Sequence, residues 1–99
     1  SEPRDTITGS IPQALALMNS PQVAGAMKAN RGVLAGLLDE IDDNEDLFVE
    51  LYLRTLSRQP TEDELARALA YIDEVGNRKT AVEDMAWALL NSAEFRHRR

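Results

Sequence analysis

The chain has no cysteine, few aromatic residues (5%) and four prolines in 99 residues. Without cysteine there is no disulfide framework and no thiolate metal site. The low aromatic share leaves Leu, Ala, Val, Ile and Met to build the core, which favours helices over a sandwich. No apolar run approaches the ~20 residues that span a bilayer, so membrane insertion by this segment is excluded from the expectations. Cationic excess is also missing. Seventeen acids oppose eleven basic residues, a formal net charge of −6, which sets long-range electrostatics against nucleic acid as a partner.

Catalytic signatures are equally sparse. There is no glycine-rich phosphate loop and no Gly-x-Ser-x-Gly elbow, and the serines have no histidine partner placed by sequence. His97 is the sole histidine and sits close to the end. Asp42, Asn44 and Asp46 match the first three ligand positions of a calcium-binding EF-hand loop. The glycine position of that pattern then holds Leu47 and the bidentate glutamate position holds Leu53, so a solvated, helix-capping cluster is the better reading. No catalytic residue, cofactor or metal ligand is assigned.

What the chain does contain is helical punctuation. The run ALALMNSPQV (residues 14–23) has a counterpart in AWALLNSAEF (residues 86–95). In each, asparagine tolerates the left-handed residue that ends a helix and serine is a favoured N-cap. The pairs Asn19-Ser20 and Asn91-Ser92 are therefore expected to form equivalent corners, arising by convergence of two helix ends. Pro21 suits the first position of the helix after the first corner.

Apolar spacing fills in the rest. A linker over residues 1–9 precedes a single helical domain over 10–99. Ile11, Ala14, Leu15 and Met18 make a short helix; Val23, Ala24 and Met27 continue to a break at Asn30–Gly32, after which Val33, Leu34, Leu37, Leu38 and Ile41 resume. Asn44 is the expected cap of a helix over Glu45–Ser57 that buries Leu47, Phe48, Leu51, Tyr52, Thr55 and Leu56, with Glu50 and Arg54 as an outer pair. Two capping boxes, Thr61 with Glu64 and Thr80 with Glu83, are expected to open two further helices. The fold class is all-α: a compact bundle of about five helices joined by short capped turns. Its expected core includes Leu51, Leu56, Leu65, Leu69, Ile72, Met85 and Leu89. Trp87 is expected as a core anchor, and Arg96, Arg98 and Arg99 as a solvated tail.

Three segments, residues 9–23, 51–65 and 84–95, closely resemble the C-terminal part of the planctomycete PSD-type domain of unknown function. The resemblance implies the C-terminal end of a larger exported bacterial protein, in a cell-envelope or periplasmic setting, sometimes alongside cytochrome c-like modules. The chain itself lacks the Cys-x-x-Cys-His haem attachment motif. The family supplies no catalytic residues. The functional expectation is a non-catalytic helical interaction or structural module that contacts upstream domains of the same polypeptide or a partner protein. The alternative is an accessory wall of an enzyme or redox site completed by upstream domains.

Overall fold

The computed structural model describes residues 21–97, with side chains over residues 21–92. Among the described residues five helices follow one another: α1 (Pro21–Ala29), α2 (Arg31–Glu40), α3 (Asn44–Leu56), α4 (Glu62–Val75) and α5 (Arg78–His97). No strand occurs among the described residues. The radius of gyration is 12.4 Å, matching the ~13 Å of a compact chain of about 100 residues.

Each boundary has a local cause. Pro21 is the first residue of α1, where its missing N–H costs no hydrogen bond. Asn30 breaks the chain between α1 and α2 by donating its side-chain amide to the Ala26 carbonyl (2.8 Å). The cap of α3 is Asp43, one residue earlier than expected; its carboxylate accepts from the Asp46 N–H (2.9 Å), and Asn44 becomes the first helical residue. Ser57 ends α3 in the left-handed conformation (φ 60°), and Gly76 ends α4 in the same way (φ 74°). The strain is small for glycine and real for serine.

Helix α5 is the centre of the arrangement, packing against α1, α3 and α4. Its buried face consists of Ala81, Val82, Met85, Ala86, Ala88 and Leu89, and the alanines let neighbouring backbones come close. α3 contributes Leu47, Phe48, Leu51, Tyr52 and Leu56, with the Phe48 and Tyr52 rings edge to face at 5.4 Å. Thr55 is only half-buried. Trp87 and Leu90 pack against this core from its margin.

Two core expectations need correction. On α4 the buried line is Glu64, Ala68 and Ile72, while Leu65 and Leu69 are half-buried. The inward face is displaced by one position from the leucines, and it carries the Glu64 carboxylate. On α1 and α2, Ala24 and Val33 are exposed, Val33 at 46%. These residues carry apolar spacing without a neighbour to cover them.

Met85→Ala and Phe48→Ala should each cost about 3–5 kcal/mol in urea unfolding, whereas Leu69→Ala should cost about 1 kcal/mol. The reverse ranking would return Leu69 to the core.

Candidate functional site

The first constellation is polar and lies at the α3–α4 corner. Because Ser57 turns the chain sharply, Arg58 comes back over the start of α4. Its Nη1 and Nη2 donate to the two oxygens of Glu64, both at 2.9 Å, and Nη1 also donates to the Gln59 carbonyl. The guanidinium lies 5.3 Å from the Tyr52 ring centroid, within cation–π reach. The capping box expected from Thr61 and Glu64 is formed: the Glu64 N–H donates to the Thr61 hydroxyl (3.1 Å), and the Thr61 N–H donates to Glu64 Oε1 (2.9 Å).

Glu64 is wholly buried. Burial pushes its carboxyl up, but the hydrogen bonds and charge of Arg58 and the donors of Thr61 outweigh this and hold it below the ordinary carboxylate value. A carboxylate that accepts three hydrogen bonds and is wholly buried is not presented to a substrate. Its work is structural.

Two further polar groupings tie helices together. Arg78, at the start of α5, donates to the Leu38 carbonyl (3.0 Å), to the Ile41 carbonyl, to the Asp42 carbonyl (3.3 Å) and to Asn44 Oδ1 (2.6 Å). These carbonyls belong to the negative end of α2, which carries Asp39 and Glu40 and no basic residue of its own, so the Arg78 cation offsets an unfavourable dipole. Tyr71 on α4 donates its hydroxyl to Asp84 on α5 (2.7 Å). Its phenol is pushed up to about 12, by burial first and then by the hydrogen bond and charge of Asp84.

The remaining sequence candidates fall as follows. Asn19 and Ser20 lie outside the described residues. The corner expected at Asn91 and Ser92 is absent: α5 runs through both and on to His97. The serine there is followed by Ala93, a residue that continues a helix, whereas Ser20 is followed by a proline that disfavours helical conformation before it.

The second capping box, expected from Thr80 and Glu83, is also corrected. Asn77 Oδ1 accepts from the Thr80 N–H (2.9 Å), so Asn77 caps α5 and Thr80 sits inside its first turn. Glu83 therefore does not act as a cap residue. It lies half-buried within α5, three positions beyond Thr80. With Asn77 as the cap, the position from which an acid reaches back to the exposed N–H belongs to Thr80, and Glu83 is a turn too far along the helix.

Among the described residues no group of three or more His, Cys, Asp or Glu is placed to hold a metal ion. No described helix is long and apolar enough to cross a membrane.

The second constellation is an open apolar groove of about 300 Å³, lined by Met27, Val33, Leu34, Leu37, Leu51, Ala86 and Leu90, with Asn30, Arg54 and Thr55 as its polar residues. Its origin lies in the packing. α2 is secured at one end by the Asn30 break and at the other by Arg78, and between them Leu34 and Leu37 line the groove together with residues of α1, α3 and α5. The Thr55 hydroxyl is spent on the Leu51 carbonyl (2.6 Å), and Arg54 is paired with Glu50 through Nε (2.8 Å). Sequence periodicity assigns Val33, Leu34 and Leu37 to one apolar face. Nothing in that pattern distinguishes a face closed by a neighbour from one left open.

Arg58→Met should cost about 3 kcal/mol, the lower part of the range for breaking a buried pair, because Arg58 is partly exposed. Adding Glu64→Leu should recover much of that loss; a double variant whose loss equals the sum of the two single losses would show the pair to be uncoupled. Since the Glu64 pKa is lowered on folding, its contribution is present above the ordinary carboxylate range and is lost as pH falls through the lowered value. The Tyr71 pKa is raised, so its contribution is full below the ordinary tyrosine range near 10 and is lost as pH rises through about 12. Tyr71→Phe should remove that alkaline step from the stability profile. A profile unchanged in alkali would rule out the Tyr71–Asp84 bond as its cause.

No family model, curated protein or solved structure matches the chain.

Proposed function

We propose that this chain is a non-catalytic helical interaction module, of the planctomycete PSD-type kind its motifs resemble. It would belong to a larger exported bacterial protein of the cell envelope and dock through the groove between α2, α3 and α5 onto other domains of that polypeptide or a partner protein. The observation that supports this reading is the groove itself. Its lining is apolar, and Val33 stands 46% exposed among its residues. Apolar surface left in water forgoes about 25 cal/mol per Å² of stabilisation, which a docked partner recovers. Concave apolar clefts between helices are common binding sites.

The polar chemistry supports the same reading by being used up. Glu64, Arg58, Arg78, Asn44, Tyr71 and Asp84 are bonded to one another or to backbone carbonyls. None of them is paired as nucleophile and base.

The test is calorimetric titration of the chain, wild type and Val33→Asp, against the neighbouring domains of its full-length protein. Wild type should bind and Val33→Asp should not, with helicity unchanged because position 33 is exposed. Absence of heat for wild type at high micromolar concentration would count against docking. If instead the domains stay associated in Val33→Asp while a catalytic turnover of the full-length protein falls, the module is a wall of an enzyme site.

A further inference from the structure

The lining of the groove is mostly apolar but its charge is uneven, and the asymmetry selects an occupant. Along α2, Asn30, Val33, Leu34 and Leu37 follow the i, i+3, i+4, i+7 spacing of one helical face. From Asn30 to Leu37 the slot runs two helical turns, about 10 Å. A helix with the matching apolar spacing is the natural complement to such a slot.

Two cations flank Asn30 in the chain, and a third lines the groove. Arg54 lines the groove and donates only its Nε, to Glu50, so Nη1 and Nη2 have no partner among the described residues. Lys28 and Arg31 flank Asn30 in the chain, are exposed, and form no ion pair among the described residues. Helix α2 begins at this point with no acidic residue in its first turn, so the positive end of its dipole adds to the same field. The opposite end of α2 leads into Asp39, Glu40, Asp42, Asp43 and Asp46, all exposed. On a chain of net charge −6, the Asn30 end of the groove is a local reversal of sign.

We propose, on the footing of the docking reading above, that the occupant is an amphipathic helix of a partner protein. It carries leucine-like residues at i, i+3, i+4 and i+7, and a cluster of Asp or Glu at the end lying over Asn30 and Arg54. The apolar face supplies contact area. The acidic end fixes direction, because reversal would set the acids against Asp39 and Glu40.

The probes are synthetic Ala-rich helical peptides with leucines at those positions. Each ends in a run of Glu or a run of Lys, placed at the N-terminus in one pair and the C-terminus in the other. They are titrated into the isotope-labelled full chain and followed by NMR. One Glu-ended peptide should shift the amides of Val33, Leu37 and Leu90 and bind about tenfold tighter than its Lys-ended counterpart. Added salt should narrow that difference. The triple variant Lys28→Glu, Arg31→Glu, Arg54→Glu, with all three changes at exposed positions, should keep its helicity and invert the preference. Equal affinities for Glu- and Lys-ended peptides at the same groove residues would overturn the acidic occupant and leave the docking reading standing. No shift at the groove from any peptide would overturn both.

Discussion

A buried carboxylate sets the geometry of this bundle. Glu64 is excluded from water on the inward face of α4, and a charge placed there is tolerated only with full hydrogen bonding and a counter-charge. Both are supplied locally. The left-handed Ser57 returns the chain so that Arg58 meets Glu64 through two bonds, and Thr61 closes the box from the other side. A leucine at position 64 would fill the space with less desolvation, but it would leave the Thr61 N–H and the Arg58 guanidinium without their acceptor. With Glu64 facing inward, Ala68 and Ile72 share its line one and two turns later on the buried face of α4.

The same logic runs from the other end of α5. Arg78 collects carbonyls from the end of α2 and the turn after it, groups that a helix ending in Asp39 and Glu40 leaves electrostatically uncomfortable. This ties α2 to the bundle at its C-terminal end, while Asn30 ties it to α1 at the other. Between those anchors only Leu34 and Leu37 are buried. Both also line the groove, which opens between these two anchors.

Much of this was legible in the residues. Thr61 followed three positions later by glutamate specifies a capping box whatever surrounds it, and Pro21 specifies a helix start. The faces of α3 and α5 follow from apolar spacing, because those helices are covered on the side their leucines define. The departures share one cause: what a side chain can do does not fix what it does. Thr80 and Glu83 have the same spacing as Thr61 and Glu64, but Gly76 ends α4 so abruptly that α5 restarts at once. Asn77 is then the residue in position to accept, and Glu83 is left inside the helix with no exposed N–H to reach. Asn91 and Ser92 can make a corner, but nothing after them forbids helix, and both remain half-buried inside α5. Leu65 and Leu69 have helical spacing, yet the inward line of α4 is Glu64, Ala68 and Ile72, and the leucines sit at its margin. The groove was illegible for a further reason. Periodicity reports which face is apolar, whereas openness depends on the distance between helices far apart in sequence.

These facts also bear on where function can reside in so small a domain. Polar groups with chemical potential are already committed: Glu64 to Arg58 and Thr61, Tyr71 to Asp84, Arg78 to the end of α2. A group held in this way would have to break a structural bond before it could act on anything else, at a cost set by the desolvated partner left behind. Among the described residues, the capacity left unspent is of another kind. It includes the apolar lining of the groove and the guanidinium of Arg54, which Glu50 satisfies only in part. Apolar area provides attraction without direction, and unpaired charge provides direction with little affinity of its own. Their meeting in a slot two turns long is a combination suited to recognising another helix.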